Sequence, residues 1–393
     1  MKILMVLEVD FPPDDRVEKE AISLIEKGHE VDIACYTRTG KPTKENYKGI
    51  GIIRKSIPAF IYKSGAACLV LPFYFHFWKK FLFGILVGNN YSAIHVHDLP
   101  LSKVACKLAK KYQLKIIFDQ HEYYSNWIIH TRHYQKGLGR IIRLFSRWES
   151  YEKKYLSQAD FVITVEEPLR QKYIQRIHVD PGKIICVPNT PLGKLFNPGN
   201  VKKEIAERYR DQFVLFYAGG LDSLRGLDIP LKAMSIVRDK ISGLKLILAG
   251  RLNKGFDILG LIEELQISDI VEYLNWIDIQ DMPSYLAVTT VGFFTPPGNR
   301  DEIHDTIATK IYQYLAMNVP VIVSDVKHMK EFVLGHEIGF VAGNEKDFAD
   351  IVLDLYENPG KRKALADTCN NYNKDFIWEK TVSGLLDYYS QLA

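Results

Sequence analysis

The residues best placed for chemistry lie in residues 301–325, DEIHDTIATKIYQYLAMNVPVIVSD. Apolar runs flank this stretch, so the pattern predicts a strand, a loop, a helix and a second strand. Asp305 or Thr306 is the expected helix cap, Asn318 ends the helix, and Thr306, Lys310 and Gln313 share one face. A lysine near the positive end of a helix becomes favourable when an anion binds, because backbone N–H groups and the ammonium converge on one phosphate. The alternative is an exposed lysine on an ordinary amphipathic helix.

A glycine-containing loop supplies a second cation. Residues 213–218, FVLFYA, predict a strand that runs into residues 219–227, GGLDSLRGL. The glycines allow the backbone to approach a ligand closely, and Arg225 opens the following helix. Arginine binds phosphate oxygens through two parallel hydrogen bonds, so Arg225 and Lys310 are predicted to clamp one diphosphate. The opening strand–helix–strand unit contains no GxGxxG, which argues against a dehydrogenase.

Two predicted strands end in a histidine beside an acid. His97-Asp98 follows AIHV, and His121-Glu122 follows KIIFDQ. In an open parallel sheet, ligands bind at the carboxyl ends of the strands, so these two pairs indicate a functional edge rather than two structural histidines. Arg16 opens the first predicted helix, residues 16–27, where it either meets an anionic acceptor or is a surface arginine.

The elements that must position these residues form two series of alternating strands and helices. A chain of 393 residues predicts two domains. The apolar fraction of 47% and the charged fraction of 25% are typical of globular proteins, and the net charge of +4 does not argue for nucleic acid. Five scattered cysteines, without CxxC or Cys/His spacing, indicate a reducing compartment and no structural zinc. Residues 1–7 predict a buried first strand rather than a signal peptide.

Residues 65–87 are rich in Phe and Leu, but Pro72, His76 and two lysines interrupt them, so they do not predict a membrane-spanning helix. The favoured interpretation is a pair of helices packed on a sheet. The alternative is a helix at a membrane surface, with Lys79 and Lys80 meeting phosphates. The side chains that would then enter lipid are Phe73, Phe75, Phe77, Trp78 and Phe81. Residues 126–158 are basic and aromatic and predict a solvated helix face, with anionic lipid as the second interpretation.

Together these motifs resemble a known family: the retaining, nucleotide-sugar-dependent glycosyltransferases of the GT-B fold, in the group called family 4 or glycosyl transferases group 1. The resemblance covers nearly the whole chain and rests on the order and spacing of several short motifs. These are DRV at 15–17, GHEV at 28–31, VHD at 96–98, VPN at 187–189, residues 219–226, NWI at 275–277, TKIYQYLAM at 309–317 and WE at 378–379.

The resemblance implies an α/β architecture of two Rossmann-like, parallel-sheet domains that face across a cleft. Residues 1–190 are expected to form the acceptor-side domain and residues 191–375 the nucleotide-sugar-binding domain. Residues 376–393 are expected to form a terminal helix that crosses back to the first domain.

The resemblance also implies site residues. In similar proteins, basic residues at the positions of Gly220 and Arg225 hold the diphosphate, so Lys310 is the proposed substitute for the side chain that Gly220 lacks. The family's paired glutamates fall on Asp305 and Gln313, with Glu302 as a second candidate for the first. Gln313 accepts from ribose without a charge. The donor-binding set is Gly219, Gly220, Arg225, Arg251, Asp305, Thr309, Lys310 and Gln313.

The implied activity is retaining transfer of a sugar, of the hexosyltransferase type, from a nucleoside diphosphate to a glycan or lipid-linked acceptor. His97, Arg225 and Lys310 are the expected catalytic residues. Arg16, Asp98, His121 and Glu122 are the acceptor-side candidates. Neither metal nor cofactor is expected. The implied setting is cell-envelope glycan synthesis in the cytoplasm, without nucleic acid, and peripheral contact with the inner face of the membrane is an option that the sequence leaves open. The alternatives are a nucleotide-sugar-binding protein without transfer activity, and an epimerase or hydrolase of the same fold.

Overall fold

The chain folds as two compact α/β units. The computed structural model describes residues 1–131, 134, 139, 141, 147–253, 255–298 and 306–392. Unit 1 comprises Met1–Pro188 and Val382–Ala393, and unit 2 comprises Asn189–Thr381. Each unit is built on its own sheet of mostly parallel strands, as the alternation of strand and helix patterns predicts.

The sheet of unit 1 is parallel except at one edge. Its strands are β1 (Lys2–Leu7), β2 (Glu30–Thr37), β3 (Lys44–Tyr47), β4 (Ile50–Ser56), β5 (Ala93–His97), β6 (Lys115–Gln120), β7 (Phe161–Thr164) and β8 (Ile184–Cys186). Their order is β3-β4-β2-β1-β5-β6-β7-β8, and only the β3–β4 pair among them is antiparallel. Within the β5–β6 pair, His97 lies opposite Asp119. The ends of neighbouring strands therefore bring polar side chains from distant parts of the sequence to one edge.

Buried strands and capped helices account for this unit. β1, with the sequence KILMVL, is buried along nearly its whole length, as expected when helices cover both faces of a parallel sheet. The first helix, Asp15–Glu26, begins after Asp14, whose carboxylate accepts a hydrogen bond of 3.1 Å from the Val17 N–H. The other described helices are Ala59–Ser64, Phe73–Leu86, Ser102–Tyr112, Tyr124–His130, Trp148–Leu156, Glu167–Lys172 and Ser383–Leu392.

The phenylalanine-rich segment forms helices packed against the sheet, which confirms the favoured interpretation. Phe75, Trp78 and Phe81 are buried in the core of unit 1. The alternative, in which these three side chains enter lipid, is therefore wrong for them, because they lie on the helix face that packs inward. Among the described residues, no helix combines the length and apolar character that crossing a membrane requires.

The sheet of unit 2 is parallel throughout its described strands. These are β9 (Phe213–Ala218), β10 (Leu244–Ala249), β11 (Val271–Leu274), β12 (Val291–Phe294), β13 (Val321–Ser324) and β14 (Gly339–Ala342), in the order β11-β10-β9-β12-β13-β14. The described helices are Lys203–Arg208, Asp228–Val237, Ile258–Glu264, Met282–Val288, Thr309–Ala316, Lys327–Gly335, Glu345–Glu357, Pro359–Tyr372 and Trp378–Thr381.

Two helix boundaries differ from the sequence prediction. The helix that carries Lys310 begins at Thr309, and the residue before it, Ala308, provides no side-chain cap. Thr306 therefore precedes the helix instead of capping it, while Asn318 takes the predicted left-handed conformation after its end, with φ of 61°. The predicted terminal helix is divided, because separate helices span Trp378–Thr381 and Ser383–Leu392.

Candidate active site

The glycine loop after β9 brings backbone and side chains into close contact. Gly219 has a φ of +151°, and a Cβ added there would lie 3.2 Å from the Tyr217 hydroxyl and 3.4 Å from Lys310 Nζ. Gly250, at the end of β10, has a φ of +146°, and its Cβ would lie 1.8 Å from the Gly219 carbonyl oxygen. Glycine is required at both positions because a side chain would meet backbone or the lysine.

Lys310 is held over two aromatic rings at this edge of the sheet. Its Nζ lies 4.5 Å from the centre of the Phe294 ring and 5.0 Å from that of Tyr217. The helix that carries it is fastened by Tyr314, whose hydroxyl donates to the Phe216 carbonyl at 2.8 Å. Within the described part of the chain, Lys310 Nζ contacts ring faces, and its N–H groups are of the kind that bind phosphate oxygens.

A second cation perturbs this lysine. Burial, followed by the charge of Arg225, lowers the pKa of Lys310 from 10.5 to about 7, against the opposite effect of Asp222. The Arg225 side chain is 44% exposed, and its Nε lies 3.9 Å from an Asp222 carboxylate oxygen. Among the described residues, these two cations share one nearby carboxylate, a local excess of positive charge that a diphosphate would neutralise.

Of the remaining donor-binding candidates, Thr309, Gln313 and Arg251 lie among the described residues. Thr309 accepts a hydrogen bond of 3.4 Å from the Asn189 amide, and Gln313 is half-buried on the same helix. Arg251 is exposed, with its guanidinium 5.4 Å from the centre of the Trp276 ring. Asp305 and the second candidate, Glu302, lie outside the described residues.

In unit 1, a buried arginine organises the polar edge. The Arg16 guanidinium donates to both oxygens of Asp119 at 2.8 Å, donates to the Val187 carbonyl at 2.9 Å and lies 3.0 Å from a Glu20 oxygen. Its side chain is only 4% exposed. The expected contact between Arg16 and an acceptor is therefore replaced by contacts with carboxylates of the protein itself, and Arg16 is a structural cation.

The histidines join the same cluster. His97 Nδ1 lies 3.2 Å from Asp119, and the stacked imidazole of His95 has its centre 4.7 Å from that of His97. His95 Nδ1 also lies 3.0 Å from the hydroxyl of Tyr389, in the terminal helix. All of these side chains are buried, and their contacts with His97 fix the orientation of its imidazole ring.

His121 is the less buried histidine of the edge. Its Nε2 lies 2.9 Å from Asp119 and its Nδ1 lies 3.3 Å from Asp98. Burial alone would lower the pKa of the imidazole, but the charges of Asp98 and Asp119 outweigh it and raise the pKa to about 10. His121 is therefore a cation at neutral pH, next to the partly exposed carboxylate of Asp98. The neighbouring Glu122 is half-buried, and its carbonyl accepts from the Tyr173 hydroxyl at 3.0 Å.

Four side chains of metal-binding type meet in this cluster, although the sequence indicated no metal site. Glu20, His95, His97 and Asp119 place ligand atoms within 4.8 Å of one another. Arg16 already binds both carboxylates, and a divalent ion would have to displace that buried cation or lie against it. The donor set therefore fits an ion-pair cluster better than a metal centre.

Sequence reasoning missed the acidic members of this cluster. Glu20 lies one helical turn after Arg16, and that spacing is a usable signal for an ion pair. Asp119 was visible only as a residue of a buried strand. Glu8, one residue beyond β1, is a further omission: burial, with a smaller contribution from the charge of Asp98, raises its pKa to about 8.

Both halves of the chain match known families. Residues 17–190 match the family model described as Glycosyltransferase Family 4, and residues 200–372 match the one described as Glycosyl transferases group 1. The chain belongs to the family 4-like, group 1 glycosyltransferases. This glycosyltransferase is 24% identical over 254 residues to a D-inositol 3-phosphate glycosyltransferase of Actinosynnema mirum, a match that covers 61% of the chain. The match spans 59% of that relative, less than two thirds of its length.

Solved structures resemble the glycosyltransferase over its whole length. Sucrose-phosphate synthase from Thermosynechococcus elongatus has a TM-score of 0.76 and 18% identity, covering 100% of this chain and 99% of that one. HepE from Anabaena, in complex with UDP, has a TM-score of 0.72 and 13% identity, covering 100% of both chains. At these identities the likeness shows the fold alone, and it confirms the predicted GT-B class.

Proposed function

We propose that this glycosyltransferase moves a sugar, with retention of configuration, from a nucleoside diphosphate to a glycan or lipid-linked acceptor. The observation that carries the proposal is the pair of cations, Arg225 and Lys310, beside the glycine loop of unit 2. The HepE structures with UDP and with UDP-glucose support a nucleoside-diphosphate sugar as the donor class.

The donor chemistry follows from charge and backbone access. Lys310 presents three N–H donors from above the Phe294 and Tyr217 rings, and Arg225 adds a planar pair of donors. Gly219 leaves the backbone open to the phosphates, since any side chain there would meet Lys310. Negative charge grows on the diphosphate as its bond to the sugar breaks, so these cations stabilise the transition state more than the ground state.

The other expected catalytic residue is His97, which Asp119 orients through Nδ1. We propose that His97 positions the reacting sugar and that Asp98, His121 and Glu122 contribute to the acceptor side. In this proposal, positioning of the substrates and stabilisation of negative charge accelerate the reaction. The leaving diphosphate takes the proton of the acceptor, and transfer does not need a metal. Equal activity with and without a chelator is the corresponding expectation.

The test combines binding and product detection. Isothermal titration against a panel of nucleoside diphosphates identifies the base, and the matching sugar donors are then assayed with glycan and lipid-linked acceptors. Proton NMR of the product reports the anomeric configuration. Arg225→Ala should weaken diphosphate binding by about 1.5–3 kcal/mol, because one charged hydrogen-bonding group is lost.

Lys363→Met controls for the loss of one positive charge from unit 2, since Lys363 is an exposed lysine on the helix Pro359–Tyr372. Its nucleotide affinity should equal that of the wild type. Nucleotide binding without transfer to any acceptor would contradict the transferase proposal and favour the binding-protein alternative. An inverted product would contradict retention.

A further inference from the structure

Unit 1 carries an exposed apolar surface beside its phenylalanine-rich helix. Four side chains form it: Phe60 is 63% exposed, Val70 46%, Phe73 43% and Leu71 40%. The rings of Phe60 and Phe73 pack against each other at the surface, with centres 5.4 Å apart. Scattered exposed apolar residues are normal in proteins, but adjacent ones that pack together in water indicate a binding surface. We call these four residues the apolar face.

Two grooves adjoin the apolar face, and both have lysines at their edges. One, of about 370 Å³, is lined by Lys55, Ile61, Pro72, Phe73, His76, Phe77 and Lys80. The other, of about 290 Å³, shares Pro72 and His76 with it, includes Val70 and Leu71 and carries Lys79, Lys103 and Lys107. Each groove is therefore lined by both apolar side chains and lysines.

The surrounding charge is strongly one-sided. Residues 46–118 contain eleven lysines and arginines and a single acidic residue, Asp98. The whole chain has 51 basic and 47 acidic residues, so the rest of it holds forty basic and forty-six acidic residues and is net negative. Three of the eleven, Lys48, Arg54 and Lys115, pair with carboxylates outside this range. The positive charge next to the apolar face therefore comes from the five lysines that line the two grooves.

Several of these lysines lie against aromatic rings. Lys55 Nζ is 5.2 Å from the centre of the Phe77 ring, and Lys103 Nζ is 5.0 Å from that of Phe75. Lys79 and Lys80 are exposed on the same helix as Phe73. Side chains arranged in this way present ammonium groups at the level of the apolar surface, as phosphates lie just above the acyl chains in a bilayer.

We propose that the apolar face and its lysines bind the surface of an anionic membrane. Phe60, Phe73, Val70 and Leu71 enter the headgroup region, and the lysines contact lipid phosphates. Charge complementarity selects this occupant, because an apolar surface for a protein partner does not require a segment so depleted of acidic residues. This surface differs from the one in the alternative interpretation of the sequence. Of the side chains named there, Phe73 belongs to the apolar face, whereas Phe75, Trp78 and Phe81 are core residues.

Vesicle flotation tests the proposal with the full chain. We expect binding to vesicles of phosphatidylglycerol and phosphatidylcholine, weaker binding to phosphatidylcholine alone, and loss of binding at high salt. Lys79→Gln with Lys80→Gln should lower the partition coefficient by about 25-fold, taking about fivefold for each lysine removed. Phe60→Ser with Phe73→Ser should lower it by at least about tenfold, because less apolar area is buried.

Leu334→Ser is the matched control, since Leu334 is 47% exposed on the helix Lys327–Gly335 of unit 2. It should float like the wild type. Nucleotide affinity, a property of unit 2, and the circular dichroism spectrum verify that each variant is folded. Absence of flotation with anionic vesicles, or flotation that the lysine and phenylalanine variants leave unchanged, would overturn the proposal. Saturable binding of a protein instead, with no affinity for vesicles, would do the same and would leave the transferase proposal intact.

Discussion

If Lys310 binds the diphosphate as proposed, its low pKa should make nucleotide binding sensitive to pH. Burial and the charge of Arg225 lower that pKa to about 7, so near neutral pH about half of the molecules carry an uncharged lysine. A diphosphate bound at hydrogen-bond distance favours the ammonium, and its pKa rises in the complex. Binding therefore takes up a proton, and affinity should fall as the pH rises above 7.

The magnitude follows from the protonated fraction. With a pKa of about 7, the charged form falls from about one half at pH 7 to about one hundredth at pH 9. For an ammonium that contributes about 1.5–3 kcal/mol to binding, the dissociation constant should therefore rise by roughly seven- to thirtyfold over that range. Lys310→Met removes the ammonium and should cost about 1.5–3 kcal/mol of binding at pH 6 but little at pH 9. The two affinity curves should therefore converge at high pH.

Titration, between pH 6 and pH 9, of the nucleoside-diphosphate sugar that the binding panel identifies measures this directly, because the diphosphate of such a donor remains fully ionised over that range. Each pH is measured in two buffers of different ionisation enthalpy, which reports the number of protons taken up. The wild type should take up close to half a proton at pH 7, and the uptake should be largest near pH 8 and fall again towards pH 9. Lys310→Met should take up none.

The stability of the same variant separates a binding role from a structural one. The folded-state pKa of Lys310 is below its unfolded value, so between about pH 7 and pH 10 the unfolded chain holds the extra proton and stability rises with pH. Lys310→Met removes that half-buried cation and should unfold at no lower temperature than the wild type at pH 7. A wild-type affinity that is constant from pH 7 to pH 9, without proton uptake, would refute the reasoning.

Three further outcomes are expected. Asp119→Asn should destabilise unit 1 by about 3–5 kcal/mol in urea unfolding, because Arg16 loses a buried charged partner; a loss below about 1 kcal/mol would contradict the assigned role. His97→Ala should lower turnover and leave the nucleotide dissociation constant unchanged, whereas equal losses of both would identify a structural residue. Gly219→Ala should weaken nucleotide binding, since its Cβ would lie 3.4 Å from Lys310 Nζ on a backbone with φ of +151°, and titration at pH 6 beside a melting curve measures both effects.

Local patterns predicted the strand and the helix that carry the proposed donor-binding residues. The apolar run of β9 followed by glycines, and the helical spacing of Lys310 and Gln313, depend on residues close in sequence, so a window of about ten residues contains the signal. Lys310 does lie in the first turn of its helix. Its low pKa was not predictable, because the rings beneath it come from β9 and β12 and the neighbouring charge from the glycine loop.

The buried cluster of unit 1 depends on contacts between residues that are far apart in the sequence, so a short window does not contain the signal. Arg16 and Asp119 are 103 residues apart, and Tyr389 lies 294 residues from its partner His95. An arginine at the start of a helix looks the same in sequence whether it meets solvent or a buried carboxylate. The sheet order, which sets β1 beside β5 and β5 beside β6, decides between them.

The amino-acid sequence by itself determined the two α/β units, the ends of the strands that carry His97 and His121, and the glycine and lysine elements of the donor side. These features follow from local periodicity, from turn chemistry and from the resemblance of several short motifs, in a fixed order, to those of the family. Only the tertiary structure decided which charges are buried, which cations lie close together and which phenylalanines are exposed. Burial and electrostatic coupling depend on distances between residues far apart in the chain, and packing sets those distances.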